Sequence, residues 1–184
     1  MQVKAKKHLG QNFLTSKDVV NKIVKSAKIT NKDTVLEIGP GLGILTIELA
    51  KHAKKVISIE LDTSIIPTLK KNLENELSEK DLRKITILNE DALKFTANTK
   101  TVGESYKIVA NIPYYITSPL ISHFLTSAHP PKSTTILVQK EVAIKICAQT
   151  AQFPKEMHSI LSLATQIYAK PNFEFTVLAG SFSP

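Results

Sequence analysis

The apolar positions of this 184-residue chain switch repeatedly between helical spacing and short continuous runs. Val19, Val20, Ile23, Val24 and Ala27 recur at helical spacing behind Thr15 and Ser16, either of which can cap a helix over 17–28. Lysines occupy the other side of that helix. Alternation follows: strand 34–38, helix 43–53, strand 55–60, helix 64–77, strand 84–88, a turn at Asp91 and strand 106–110. Pro67 is tolerated because it falls in the first turn of its helix. A helix near 117–127, strand 133–139 and a helix from Glu141 to about 149 come next. Residues 158–169 and 173–178 read as two closing strands that pair as an antiparallel hairpin. Strands separated by helical stretches predict an α/β fold with a mostly parallel, seven-stranded sheet and ligands at the carboxyl edge of its strands.

The strand ends carry the chemistry. Glu37-Ile38-Gly39-Pro40-Gly41-Leu42-Gly43 joins the first of these strands to its helix. Glycines on such a turn let the backbone approach a ligand, and the helix N-terminus offers unpaired N–H groups. A dinucleotide fingerprint, G-x-G-x-x-G, would need glycine where Ile44 stands, so the spacing argues against that class. Glu60 ends the next strand, 21 positions after Gly39. A doubly wound sheet carries its ribose-binding acid there, and a carboxylate can accept both ribose hydroxyls. Asp91 follows the third strand and either caps the turn before Ala92-Leu93 or lies near an adenine amino group. This series of strand ends predicts a nucleoside-containing cofactor.

Asn111-Ile112-Pro113-Tyr114 ends the fourth strand. The amide oxygen of Asn111 and a neighbouring carbonyl, from Ile112 or Pro113, can accept both hydrogens of an exocyclic amino group while the Tyr114 ring stacks on the base. Two positions outside this series are also candidates. Asn12 and Leu14, in the run Leu9 to Leu14, either staple the first helix to the core or lie across the glycine loop and close the cofactor pocket. Phe182, alone after Gly180-Ser181, is either a plug for the core or a second stacking surface for the base.

Charge and composition narrow the class. Residues 1–32 hold eight lysines, at 4, 6, 7, 17, 22, 25, 28 and 32, against Asp18 alone, which places +7 of the net +8 there. A basic segment of this kind is the footprint of a polyanion binder, and a base-holding site makes that polyanion nucleic acid rather than an acidic membrane. A hydrophobic fraction of 42% suits one globular domain, and no apolar run is long enough to span a membrane. The single Cys147 and the charged start, without a secretory signal, fit a cytoplasmic protein. The five histidines are scattered without partners at ligand spacing, so no metal site is expected.

The glycine loop resembles the first motif of class I S-adenosylmethionine (SAM) methyltransferases. With LGQNFL at 9–14, EDAL at 90–93, NIPYYITSPL at 111–120, LVQKEVA at 137–143 and AGSFSP at 179–184, the chain resembles the ribosomal RNA adenine N6-dimethyltransferases, in the family's order and over essentially its whole length. The LGQNFL and QKEVA segments are more similar to the bacterial small-subunit enzymes than to the large-subunit ones. The resemblance implies a Rossmann-like catalytic domain and SAM contacts at Asn12, Leu14, Gly39, Gly41, Glu60, Asp91 and Asn111. It places the target adenine at Asn111 through Tyr114, with Phe182 stacking. The implied activity is methylation of two adjacent adenosines near the 3′ end of 16S RNA in the small ribosomal subunit, by a monomer without metal. The family's chains continue beyond the position of Pro184 into a small helical RNA-gripping domain, so residues 1–184 correspond to the catalytic domain. A large-subunit RNA or DNA adenine methyltransferase, and a non-catalytic SAM-binding assembly factor, are the alternatives.

Overall fold

Strands β2 (Thr34–Ile38) and β3 (Lys55–Glu60) pair in parallel, with Leu36 opposite Ile57 and Ile38 opposite Ile59. Both are nearly continuous apolar runs because both of their faces are covered, as parallel sheets require. The computed structural model, which describes residue 6 and residues 11–112, 116–154 and 156–183, extends this pair to five parallel strands. The order is β4 (Ile85–Asn89), β3, β2, β5 (Tyr106–Asn111), β6 (Ser133–Leu137).

Side chains alternate between two layers. Leu36, Ile38, Ile57, Ile59 and Ile108 face one cluster, with Phe95 and with Leu120 and Phe124 of α6 (Thr117–Leu125). Val35, Val56 and Val109, all fully buried, face the other. That second cluster takes Val20, Ile23 and Val24 from α1 (Lys17–Ser26) and Leu45 and Leu49 from α2 (Ile44–His52). Each such aliphatic side chain contributes roughly 1.5–3 kcal/mol by burial, so the two layers fix the sheet between them.

Ser16 caps α1, its hydroxyl accepting the Val19 N–H at 3.4 Å. The other end is closed from the sheet. Lys107 on β5 is largely buried and donates to the Lys28 carbonyl at 2.7 Å, to Asp33 at 3.0 Å and to the Ala27 carbonyl at 3.4 Å. A cation at a helix C-terminus meets the partial negative charge of the last carbonyls. α3 (Ile66–Glu76) carries Pro67 in its first turn, as the pattern predicts. Short helices α4 (Glu79–Leu82) and α5 (Thr99–Val102) complete this half, and α7 (Lys140–Ile146) follows β6.

The end of the chain differs from the expected hairpin. Residues Ile160–Tyr168 form helix α8, not a strand. Ser159 and Ser162 cap each other reciprocally, and apolar residues at 160, 163, 164, 167 and 168 follow at helical spacing, so the helix forms in place of the strand. Residues 171–178 keep a period-two burial, with Phe173, Phe175 and Val177 half-buried, but pair with no strand among the described residues. The parallel sheet therefore has five strands rather than seven. The remaining two are a separate antiparallel ribbon, β1 (Phe13–Leu14) with β7 (Phe182–Ser183). No helix among the described residues is long and apolar enough to cross a membrane.

Candidate cofactor and base-binding site

The strand order reverses at β2. The chain builds outward through β3 and β4 on one side, then returns to place β5 and β6 on the other. Ligands bind doubly wound sheets in the crevice at this point. Here the crevice lies between the carboxyl ends of β2 and β5, at Gly39 and Asn111.

Gly39 has φ +71°, and a Cβ on it would lie 3.2 Å from the backbone oxygen of Asn111. Gly41 has φ +56°, and its Cβ would lie 3.1 Å from the Phe13 ring. Both positions combine a left-handed conformation with a close neighbour, so only glycine meets both conditions. Gly43 serves packing, since a side chain there would meet Leu69 of α3 at 2.7 Å. Asn72 holds the loop from outside by donating to the Leu42 carbonyl at 2.9 Å.

Glu60 closes the crevice from β3. It is 6% exposed and accepts the Gly41 N–H at 3.3 Å and the Asp62 N–H at 2.8 Å, one on each oxygen. Burial pushes its pKa above the ordinary carboxylate value in spite of those bonds. Each oxygen has a second lone pair, so the carboxylate can still accept a pair of adjacent hydroxyls. Beneath the loop, Glu37 is fully buried. Its Oε2 accepts from Thr46 of α2 at 2.7 Å and from Ser58 of β3 at 2.6 Å, while Oε1 has no partner among the described residues. Desolvation raises its pKa to about 7, outweighing the two hydroxyl bonds.

The residues ahead of α1 lie across the loop. Phe13 and Leu14 are buried, Leu14 pairs with Phe182, and Thr15 donates through its N–H and its hydroxyl to the Ser181 carbonyl at 2.9 and 3.0 Å. Asn111 Nδ2 donates to the Asn12 carbonyl at 3.3 Å. That bond fixes the amide orientation, since only the NH2 end can donate, and it leaves Oδ1 as the acceptor. The arm therefore lies across the glycine loop while Phe13 and Leu14 are buried.

Asn12, Leu14, Gly39, Gly41, Glu60, Asn111, Ile112 and Phe182 all line one cavity of about 990 Å³. Phe182 both lines it and packs on the α1–α2 cluster. Asp91 is placed differently. Its Oδ1 accepts the Leu93 N–H at 2.9 Å, which is the turn cap, and Glu90 and Ala92 rather than Asp91 line the cavity. Pro113 and Tyr114 lie outside the described residues. Sequence reasoning gave no role to Glu37, Gln11 or Asp62. The signal for Asp62 was its place two residues after Glu60, which puts both acids on one turn.

A nucleoside with its ribose on Glu60 and its backbone-facing edge on the glycine loop suits this crevice. The sequence matches the family described as Ribosomal RNA adenine dimethylase over residues 2–184. The chain belongs to this family. It is 44% identical over its full length to Ribosomal RNA small subunit methyltransferase A of Clostridium botulinum, and 40% identical over 99% of its length to the protein of that name in Dehalococcoides mccartyi. It spans 64% and 59% of those two proteins. Among solved structures, a dimethyladenosine transferase from Plasmodium falciparum superposes with a TM-score of 0.63 at 34% identity, over 74% of this chain and 46% of that one. The 23S rRNA methyltransferase ErmE superposes with a TM-score of 0.66 at 29% identity, over 83% and 56%. The family is one of SAM-dependent methyltransferases, and the acid, glycine loop and covering arm described above fit that cofactor.

Proposed function

We propose that this chain is the catalytic part of a SAM-dependent ribosomal RNA adenine-N6 dimethyltransferase, acting as a cytoplasmic monomer on two adjacent adenosines near the 3′ end of the small-subunit RNA. The observation that carries the reading is the place of Asn111. It ends β5 against Gly39, with its NH2 engaged by the arm and its oxygen turned to the accepting role.

Glu60 and the glycine loop would hold the ribose and methionine parts of SAM, with Asn12, Leu14 and Asn111 enclosing it. When bound, SAM supplies an electrophilic methyl group on sulfonium. The chain's own residues prepare the acceptor. An adenine amino nitrogen is a poor nucleophile because its lone pair is delocalised into the ring. Accepting its two N–H hydrogens at Asn111 Oδ1 and at the Ile112 or Pro113 carbonyl moves that nitrogen towards tetrahedral geometry. The same acceptors stabilise the positive charge that develops on nitrogen, which is electrostatic catalysis by pre-placed dipoles. Stacking on Tyr114 and Phe182 would offset the cost of extracting the base, at roughly 1–3 kcal/mol per ring. One N–H remains after the first transfer, which permits a second.

The small-subunit assignment is supported by the names of the relatives at 40–44% identity. Incubation with small subunits, large subunits and duplex DNA in the presence of labelled SAM, followed by mass spectrometry of the nucleosides, tests it. N6,N6-dimethyladenosine confined to small-subunit RNA is the expected result, and label in the large subunit or in DNA would replace the reading by one of the alternatives.

A further inference from the structure

Lys6 is the one described residue ahead of Gln11, and it is not turned towards a solvent-borne polyanion. Its Nζ donates to Asp62 Oδ1 at 2.8 Å and to Ser64 Oγ at 2.9 Å. Gln11 completes the arrangement. Its Nε2 donates to Asp62 Oδ2 at 3.0 Å, and its Oε1 accepts the Lys6 backbone N–H at 2.8 Å. Both oxygens of one carboxylate are thus taken by two residues of the N-terminal arm, while Ser64 N–H and Oγ bind Oδ1 from the carboxylate's own turn. The Asp62 side chain is 4% exposed against 39% for Lys6, so the acid is the buried side of the pair and the lysine its solvent-facing partner.

The same turn holds Glu60. The backbone N–H of Asp62 donates to Glu60 Oε1 at 2.8 Å, so arm and ribose acid are fastened to one three-residue segment. Beyond Gln11 the arm places Phe13 on Gly41 and the Asn12 carbonyl on Asn111. The contacts at Asp62 and at Asn111 are made from adjacent residues of the arm, Gln11 and Asn12.

We infer that Asp62 is a positioning residue for the cofactor site: with Lys6 and Gln11 it latches the N-terminal arm over the crevice, and a ligand held there leaves only when the latch opens. This deepens the SAM-binding reading and rests on it. Burial opposes ionisation of Asp62, but the bonds from Lys6, Ser64 and Gln11 outweigh it and hold the carboxyl well below the usual range, so the latch stays charged at neutral pH. Half of it is a part-buried ion pair with the lysine facing water, which salt weakens, though less than a fully exposed pair.

Two measurements test the latch. In the ligand-free protein, amide hydrogen exchange of residues 11–14 is followed in wild type, Lys6→Met, Gln11→Ala and Lys6→Arg. In the liganded protein, the dissociation rate of S-adenosylhomocysteine is followed in the same set at low and high salt. Lys6→Met and Gln11→Ala should each speed both processes by on the order of three- to tenfold, the loss of a charge-assisted bond discounted for exposure. Lys6→Arg should restore wild-type behaviour, and the salt dependence of dissociation should vanish in Lys6→Met. Unchanged exchange of residues 11–14 in both Lys6→Met and Gln11→Ala overturns the latch. Glu60→Ala separates the two claims: if it leaves S-adenosylhomocysteine affinity untouched, the cofactor lies elsewhere, whereas the exchange of the free arm still decides whether the latch exists.

Discussion

The side-chain amide of Asn111 donates to the backbone carbonyl of Asn12 at 3.3 Å, joining the end of β5 to a segment 99 residues earlier in the chain. This bond orients the group proposed to act on the reacting nitrogen, and it makes that orientation depend on the arm being closed. Under the proposed reading, cofactor binding beneath the arm and orientation of the base-holding amide are therefore coupled through this bond.

Asn111→Ala removes both the acceptor and the tie to the arm. Methyl transfer should fall by roughly 10²–10³, the usual cost of deleting a pre-placed dipole at a developing charge. Asn111→Asp keeps an acceptor but turns a carboxylate on the Asn12 carbonyl, so its loss should include weaker cofactor binding. Single-turnover rates at saturating SAM, set beside calorimetric affinities, separate the two effects. Equal and small losses in both variants would move the base site away from β5.

Gly39→Ala should damage the cofactor site more than the fold. The strain of φ +71° for alanine costs on the order of 1–2 kcal/mol, and the added methyl would press on the Asn111 carbonyl. A melting temperature a few degrees lower, with SAM affinity reduced far more steeply, is the expected pair of results. Gly41→Ala should behave alike through Phe13, and because Phe13 is a side chain that can yield, its effect should be the smaller.

Much of this arrangement is legible in the sequence because it is local. Glycines at alternate positions after an acid, Glu60 at the end of the next strand and Asn111 at the end of the fourth all follow from runs and their terminators. What escapes is whatever depends on contacts between distant segments. The β1–β7 ribbon joins Leu14 to Phe182 through two residues on each side, too few to leave a periodic signature. The helix at Ile160–Tyr168 is legible, and the strand expected there misreads it, since Ile160, Leu163, Ala164, Ile167 and Tyr168 recur at helical spacing behind the reciprocal Ser159–Ser162 cap. The spacing of Asp62 from Glu60 puts both acids on one turn, but its hold on Lys6 and Gln11 leaves no local sign, because they meet it only across more than fifty residues.

Glu37 carries a pH dependence whose sign is fixed. Its folded-state pKa is raised from 4.5 to about 7, so the native state holds a proton that the unfolded state releases. Stability contributed by that proton is present below pH 4.5 and is lost as pH rises towards 7, by about 3 kcal/mol across the window. Glu37→Gln keeps an oxygen to accept from Thr46 and Ser58 and never ionises. It should therefore be the more stable protein at pH 8 and close to wild type at pH 4, as urea denaturation at the two values would show. Parallel curves would mean that the buried carboxyl does not govern this window.

Lys107 is predicted to be structural. Lys107→Met removes a largely buried cation from Asp33 and from the carbonyls of Ala27 and Lys28 at the end of α1, leaving those two oxygens without this donor and the acid with only its bonds from Thr30. The cost should be about 3 kcal/mol or more, in the range found when one partner of a buried pair is removed. Double substitution with Asp33→Asn should recover part of it. A double variant no more stable than Lys107→Met would assign the loss to the carbonyls of Ala27 and Lys28 alone.

The basic segment divides into two parts with different duties. Lys6 is engaged by Asp62, whereas Lys17, Lys22 and Lys25 stand exposed on the outer side of α1 with no ion pair among the described residues. If RNA is the substrate, its phosphates will be met by the second group. Replacing Lys17, Lys22 and Lys25 by glutamine should flatten the slope of log affinity against log salt by about 0.7–0.9 for each phosphate that is no longer neutralised. Cofactor affinity should stay as it is, because none of the three lines the crevice. Lys6→Gln should do the reverse, weakening cofactor binding while changing the RNA salt slope little. Filter binding to small-subunit RNA at several salt concentrations, with calorimetry of S-adenosylhomocysteine on the same variants, reads both effects. A salt slope that responds to Lys6 and not to the three helix lysines would put the RNA on the arm, and would require the Asp62 pair to open when RNA binds.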